Sequence, residues 1–148
     1  MTFFFNASCD RCDFETGVSG PGAWYVVDDN GERIPCQHPG EQRQIADMLG
    51  LSEEDVQAVR RNAIRWWWLP PRRRRYREVE RLLAARSGQH IGHLCTACLE
   101  SFAIDPRRDP LRCPACGATT IIRGQDLEHA PCPACRAGTI RFRLLMIT

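Results

Sequence analysis

The sequence contains no lysine, so its 20 basic side chains are all arginine, against 18 aspartate and glutamate residues. No window approaches the roughly 18 to 20 apolar residues that a membrane-spanning helix needs. The first residues also lack the basic segment and apolar run of a signal peptide. We therefore expect a soluble chain that is not exported and works in the cytoplasm. The absence of lysine itself carries no functional weight.

Catalytic zinc signatures of the HExxH and HxE kinds are missing as well. A catalytic zinc keeps three protein ligands and an open position for water. A redox-active CxxC is a lone pair beside a βαβ pattern, whereas this chain has four such pairs. An enzyme, using an open zinc position or Cys36 as a reactive thiol, therefore ranks last among the function classes.

Cysteine is abundant and regularly spaced, with nine residues in a chain of 148. Eight of them form four CxxC pairs: Cys9 and Cys12, Cys95 and Cys98, Cys113 and Cys116, Cys132 and Cys135. A chain kept in a reducing compartment uses such pairs for metal rather than for disulfides. Two pairs complete one tetrahedral site, so the sequence predicts two structural zinc ions.

The last two pairs are near copies, because Cys113-Pro-Ala-Cys116 recurs as Cys132-Pro-Ala-Cys135 at the spacing C-x2-C-x15-C-x2-C. Residues 110 to 145 resemble the zinc-ribbon superfamily, in which CPxC knuckles lie at the tips of β-hairpins. The resemblance implies zinc and a small β fold, and it implies little about function. We expect these four cysteines to form one site.

The first two pairs then form the second site, as the halves of a ribbon split by an 82-residue insertion. An alternative set is Cys9, Cys12, Cys36 and His38, closed by a hairpin at Asn30-Gly31. The even number of CxxC pairs favours the first arrangement, because it leaves no CxxC pair without a partner. Cys36 and His38 are then a buried thiol and a surface histidine, or they line a pocket with Glu41 beside the first zinc.

Helical periodicity is confined to residues 41 to 87, where Ser52 has the composition of an N-cap. The flanking sequence has strand and turn composition, including the hairpin dipeptide Asn30-Gly31. The predicted fold is therefore α+β, a small zinc-stabilised protein of ribbons with an inserted helical segment. We expect an N-terminal domain over 1–103 that contains the insertion, and a C-terminal ribbon over 104–148.

Residues 60 to 86 contain ten arginines and only two acidic residues, a local net charge of +8. Arginines beside tryptophans are typical of surfaces that bind phosphates while bases stack on rings. The predicted contact residues are Arg60, Arg61, Arg65, Trp66, Trp68, Arg72, Arg73, Arg74, Arg75 and Arg77. We expect binding of nucleic acid or a ribonucleoprotein, with an acidic partner protein as the alternative. A solvated helix end is the remaining interpretation.

Overall fold

The computed structural model describes residues 3–19, 22–61 and 70–147. In chain order the strands and helices are β1 Phe3–Cys9, β2 Glu15–Ser19, β3 Ala23–Val27, β4 Arg33–Pro35, α1 Glu41–Leu49, α2 Glu53–Arg60, α3 Pro70–Arg86, β5 Ser87–Cys95, β6 Ser101–Ile104, β7 Ile121–Arg123 and β8 Ile140–Ile147. A short 3-10 helix, Gly124–Leu127, follows β7. The α+β class predicted from the sequence is confirmed.

The chain divides into two compact units, which do not follow the predicted boundary at residues 103 and 104. Residues 1–22 and 90–148 form the first unit, and residues 23–89 form the second. The ends of the chain share a unit because β1 pairs antiparallel with β8, from Phe3 opposite Ile147 to Cys9 opposite Ile140. The helical insertion is therefore a separate unit rather than an appendage of an N-terminal domain.

The first unit contains two sets of three paired strands that are built in the same way. In one set β1 lies between β2 and β8, and in the other β5 pairs with both β6 and β7. We refer to these as the outer module (β1, β2, β8) and the inner module (β5, β6, β7), because the inner strands lie between β2 and β8 in sequence. The structure thus contains an internal repeat larger than the repeated CxxC knuckle.

Strand register is the same in the two modules. Cys9 lies opposite Ile140 in the outer module, and Cys95 lies opposite Ile121 in the inner one. Each isoleucine is the fifth residue after the last cysteine of its module. The two modules meet in a shared apolar cluster that includes Ala7, Leu94 and Ile140, all buried. Their repeated strands thus position four knuckles around one small core.

In the second unit α1 packs against β3, α2 packs against α1, and α3 packs against α2. Ser52 caps α2, because its Oγ accepts a hydrogen bond of 3.1 Å from the backbone N of Asp55, as the sequence predicted. Pro70 opens α3, a position where the missing N–H costs little. The core of this unit consists of Val26, Ile45, Ala46, Val56, Val79 and Leu83. Strand β3 and each of the three helices therefore contribute at least one buried residue to this core.

Replacing Ile45, which is fully buried, by alanine tests whether the two units are stabilised separately. We expect a loss of about 2 to 4 kcal/mol in the free energy of unfolding of the second unit, from lost burial and the residual cavity. All four tryptophans belong to residues 23–89, so tryptophan fluorescence during thermal unfolding measures this unit alone. Zinc content measured by native mass spectrometry should remain unchanged, and a parallel loss of zinc would contradict separate stabilisation.

Candidate metal centres

The eight knuckle cysteines form two groups whose sulfur atoms lie within 4.8 Å of one another. The outer centre contains Cys9, Cys12, Cys132 and Cys135, and the inner centre contains Cys95, Cys98, Cys113 and Cys116. Each group can hold one zinc ion, so the prediction of two ions agrees with the structure. All eight predicted ligand residues belong to these groups.

Sulfur–sulfur distances fit a tetrahedral metal site. In the outer centre Cys9 Sγ lies 3.7 Å from Cys135 Sγ, and Cys12 Sγ lies 3.8 Å from Cys132 Sγ. The two corresponding distances in the inner centre are both 3.6 Å. Four sulfurs about 2.3 Å from a central zinc are about 3.8 Å apart, whereas a disulfide requires about 2 Å. The thiol groups are therefore arranged as metal ligands and not as disulfide partners.

Backbone hydrogen bonds give the knuckles a common form. The amide of the first cysteine donates to a carbonyl five or six residues later: Cys9 to Phe14, Cys95 to Glu100, Cys113 to Ala118 and Cys132 to Gly138, at 2.8 to 3.0 Å. Three residues that follow a second cysteine, Leu99, Gly117 and Arg136, have positive φ angles of 63°, 74° and 57°. Glycine adopts this conformation freely, whereas leucine and arginine pay a steric cost on the order of 1 kcal/mol each.

A second set of bonds joins the two knuckles of each centre. The amide of Asp10 donates to the carbonyl of Thr139 at 3.2 Å, and the amide of Thr96 donates to the carbonyl of Thr120 at 2.9 Å. Asp10 and Thr96 both follow the first cysteine of their centre, and each threonine comes four residues after the last one. The carboxylate of Asp10 also accepts from the backbone N of Thr139 at 2.8 Å. The two centres therefore have the same arrangement, including the individual backbone hydrogen bond that joins their knuckles.

The predicted pairing of the cysteines is wrong, although the ligands themselves are right. The sequence analysis joined the two CPAC knuckles with each other, whereas the structure joins each CPAC knuckle to a knuckle that lacks proline. The reason is topological. The knuckles at Cys9 and Cys95 each connect two paired strands, β1 with β2 and β5 with β6. Each CPAC knuckle precedes the third strand of a different sheet and therefore completes a different centre.

Thiolate formation is favoured at one cysteine of each centre. Backbone amides of Ala137 and Gly138 lower the pKa of Cys135 to about 6. In the inner centre, amides of Cys98 and Ala97 lower the pKa of Cys95 to about 7. Amides directed at a sulfur stabilise its anion, because they place partial positive charge beside it. Each centre thus has one thiolate that can bind a metal ion first.

The neighbouring thiols are correspondingly difficult to ionise without a metal. The Phe14 amide favours the thiolate of Cys12, but burial and the three other thiols together raise its pKa to about 12. Cys98 likewise has an amide donor, from Glu100, and its pKa is nevertheless raised to about 12, mainly by the thiol of Cys116 and by burial. A divalent cation removes this conflict, because it compensates the charge of all four sulfurs.

Gly138 is essential to the shape of the outer centre. It is buried, and a Cβ atom at this position would lie against Cys9 Sγ and within 2.7 Å of Asp10 Oδ1. Only glycine leaves room for a zinc ligand at this point. The sequence contains this glycine three residues after Cys135, but nothing in its local pattern indicates which cysteine it faces.

Cys36 and His38, the alternative ligands, are not part of either centre. Both belong to the second unit, and among the described residues neither joins a group of metal-ligating geometry. Cys36 is half-buried and its pKa is raised, first of all by burial. His38 Nδ1 is hydrogen-bonded to the carboxylate of Glu41. The structure thus assigns Cys36, His38 and Glu41 to the second unit and the ligands of both centres to the first.

The predicted contact arginines have several different environments. Arg65, Trp66 and Trp68 lie outside the described residues, and of Arg72 and Arg73 only the backbone, in α3, is described. Arg61, Arg74, Arg75 and Arg77 are exposed, but Arg74 bonds Glu78 at 3.0 Å and Arg75 bonds Asp55 at 2.6 Å. Arg60 is half-buried, with its guanidinium carbon 3.7 Å from the centroid of the Trp24 ring. The segment is therefore not one uniform basic surface.

Comparisons of the chain with models of protein families, with curated proteins and with solved structures find no match. Within the described ranges, no helix is both long and apolar enough to cross a membrane. The two four-cysteine centres are zinc-ribbon-like in their ligands and hairpin knuckles.

Double substitutions provide a direct test of the cysteine pairing. Cys9→Ser together with Cys132→Ser should lose one zinc ion in native mass spectrometry, no more than either single variant, because both residues serve the outer centre. Cys9→Ser together with Cys95→Ser should lose both ions. The reverse result, one ion lost from the second double variant, would restore the pairing predicted from the sequence.

Gly138→Ala should weaken the outer centre selectively. Overpacking a rigid site costs on the order of 1 to 3 kcal/mol, so zinc affinity at this centre should fall roughly tenfold to a hundredfold. Chelator competition monitored by native mass spectrometry measures the two ions separately. Gly17→Ala is the matched control, because a Cβ at this position in β2 meets no atom within 4 Å. Equal affinities in both variants would show that Gly138 has no special role.

Zinc affinity should fall steeply with decreasing pH. Zinc binds thiolates, and above about pH 6 the outer centre has one favoured thiolate, Cys135, while Cys12 keeps its proton up to about pH 12. Binding must then release at least the proton of Cys12, so affinity should drop at least tenfold per pH unit. Competition with a chelator of known protonation between pH 6.5 and 8 measures the slope. An affinity that does not change with pH would indicate that Cys12 is already ionised in the free protein.

Proposed function

We propose that this protein is a non-catalytic member of the zinc-ribbon class that binds nucleic acid, alone or in a ribonucleoprotein, through the exposed arginine face of α3. The observation that carries the proposal is that α3 is anchored in a core on one side and presents exposed arginines on the other. The abundance of reduced metal-ligating cysteines fits the cytoplasm.

The two centres support a structural role for the metal. Each offers four thiolates, which complete a tetrahedral zinc shell and leave no position for a substrate or a reactive water. The knuckle amides already direct their N–H groups at the sulfurs, so the remaining lone pairs are used within the protein. A closed shell of this kind stabilises a fold, and the function is then carried by another surface.

Charge is distributed unevenly in the second unit. Residues 60–86 contain ten of its twelve arginines and two of its ten acidic residues. The first unit has eight arginines and eight acidic residues, and each zinc with four thiolates adds −2. The segment that includes α3 is therefore the strongly positive part of a protein that is otherwise neutral or negative. A polyanion is the partner that this distribution attracts.

α3 presents its charge on a defined face. Val79 and Leu83 are buried in the core of the second unit, which fixes the rotation of the helix. Arg74, Arg77 and Arg81 are exposed and extend over about 10 Å at a rise of 1.5 Å per residue. Arg77 and Arg81 have no ion pair among the described residues. Guanidinium groups held on a rigid helix bind phosphate oxygens with little loss of entropy.

An acidic partner protein is a second candidate, favoured by one feature of the same unit. A groove of about 410 Å³ between α2 and α3 is lined by Leu51, Val79 and Leu82, with Arg75 and Glu78 also in its wall. Apolar lining beside charge suits a protein segment better than a phosphate backbone. Titration with an acidic peptide and with an oligonucleotide discriminates between the two candidates.

The nucleic-acid proposal predicts how affinity depends on salt. Replacing Arg77 and Arg81 together by glutamine should reduce the slope of log affinity against log salt by about 1.5 units, because two phosphate contacts are lost. These residues are preferable to Arg74 and Arg75, whose ion pairs with Glu78 and Asp55 would be broken. Fluorescence anisotropy with single-stranded and duplex oligonucleotides at several salt concentrations gives the slope.

The matched control is the double variant Arg112→Gln and Arg123→Gln, which removes the same charge from exposed positions outside the segment. Its slope should equal that of the wild type. If the slope fell equally in both double variants, the effect would depend on net charge alone and not on these two positions. No binding of any oligonucleotide at low salt would overturn the proposal and leave the acidic-protein candidate.

A further inference from the structure

A cavity of about 300 Å³ lies within the first unit, and neither metal centre nor the contact face of α3 includes it. Thr16 of β2 lines it from the outer module, and residues of β5, β6 and the 3-10 helix line it from the inner module. Ligand pockets begin at roughly this volume and extend to about 1,000 Å³. The cavity is therefore suited to a small molecule of one or two rings.

The walls of this cavity are uncharged. No aspartate, glutamate or arginine is among the described residues that line it. Leu94 and Leu127 contribute apolar surface, and Phe102 contributes an aromatic ring. The hydroxyl oxygens of Thr16 and Ser101 are 2.8 Å apart, so one hydroxyl donates to the other and one of their two protons remains for a further bond. Because an ion would find no countercharge here, this lining favours a neutral ligand.

His93 is the polar side chain that the fold holds most rigidly in this wall. It is only 6% exposed, and it lies on β5 opposite Phe102 of β6. The two rings stack with their centroids 6.0 Å apart and their planes 18° from parallel. Nδ1 donates to the carbonyl of Ile91 at 2.8 Å, since a carbonyl can only accept. This bond determines the tautomer, so that Nε2 is the acceptor in the neutral ring.

The acceptor Nε2 of His93 is left without a partner among the described residues. It is nevertheless not enclosed, because the one enclosed side-chain nitrogen or oxygen without a partner, within the same residues, belongs to Arg60. Free space beside His93 is provided by the cavity that its side chain lines. A ring nitrogen that has lost most of its water is unfavourable until a donor reaches it. The cavity thus lacks a donor of matching size.

We propose that this cavity is a binding site for a small, uncharged nitrogen heterocycle whose ring N–H donates to Nε2 of His93. Its aromatic and leucine lining packs against the rings of the ligand, and the remaining hydroxyl proton of Thr16 or Ser101 can serve a second ring nitrogen. The site is independent of the proposed contact face, because it belongs to the first unit whereas α3 belongs to the second. Either proposal can therefore fail without the other.

Benzimidazole is the probe, because it has two rings, one N–H donor and one ring acceptor. 1-Methylbenzimidazole is its matched counterpart, since the methyl group replaces the N–H and leaves the acceptor. Both are titrated into the full-length protein loaded with zinc at about pH 8, where histidine is generally neutral. Benzimidazole should shift the ring nitrogen resonances of His93 in NMR spectra, and it should bind roughly tenfold more tightly than 1-methylbenzimidazole, the effect of one hydrogen bond.

The variant His93→Asn tests the acceptor itself. An asparagine amide can retain the bond to the carbonyl of Ile91, but its side chain is too short to replace Nε2. We expect the affinity for benzimidazole to fall roughly tenfold and the difference between the two probes to disappear. His129→Asn is the matched control: this exposed histidine of the same unit does not line the cavity, and asparagine tolerates its φ of 64°. Both affinities should be unchanged in this control.

The wild type decides the outcome even where His93→Asn does not fold. Equal affinities of the two probes for the wild type would overturn the proposal, and so would benzimidazole binding that leaves the His93 resonances in place. Native mass spectrometry after each titration should show both zinc ions retained. Loss of an ion would mean that the heterocycle acts at a metal centre, which would also overturn the assignment to the cavity.

Discussion

Closure of the outer centre is the constraint on which the rest of the first unit depends. Its two knuckles are separated by 119 residues, from Cys12 to Cys132, whereas 14 residues separate Cys98 from Cys113 in the inner centre. Closing the longer loop costs about 2 kcal/mol more in chain entropy. The pairing of β1 with β8 and the bonds of Asp10 to Thr139 offset this cost. The outer centre can form because these strands already hold its knuckles together.

Duplication explains how so small an apolar core supports two metal centres. Each module repeats one register, with the first cysteine opposite an isoleucine, so that Ile140 and Ile121 occupy the same position in the two sheets. Both sets of strands bury residues in one shared cluster, which contains Ala7 of β1, Leu94 of β5 and Leu127. Metal binding and burial are therefore coupled, since the strands that meet in this cluster also end in the knuckles.

Composition and spacing were sufficient to predict the eight ligands, two ions, the α+β class and the cap at Ser52. Pairing was not predictable in the same way, because C-x2-C-x15-C-x2-C and the true inner spacing, C-x2-C-x14-C-x2-C, are almost equal. Similarity between the CPAC knuckles was taken as a sign of partnership. The similarity instead arises because Cys113 and Cys132 occupy equivalent positions in the two repeated modules. Strand pairing determines which knuckles share a centre. It depends on contacts between residues distant in sequence, which no local pattern indicates.

In the arginine segment, the net charge summed over the sequence differs from the charge that the folded surface presents. The ten arginines and two acidic residues of the segment sum to a net charge of +8. In the folded chain, however, Arg74 and Arg75 are paired with acidic residues. Arg60 differs from all of these, because it is stacked on Trp24 with a nitrogen that water does not reach. An exposed arginine attracts a polyanion from a distance and is screened by salt. Arg60 is engaged within its own unit, because its guanidinium is half-buried and in contact with the Trp24 ring. The positive charge that a partner can contact directly is therefore smaller than the sum over the segment, and on α3 it belongs first of all to the exposed Arg77 and Arg81.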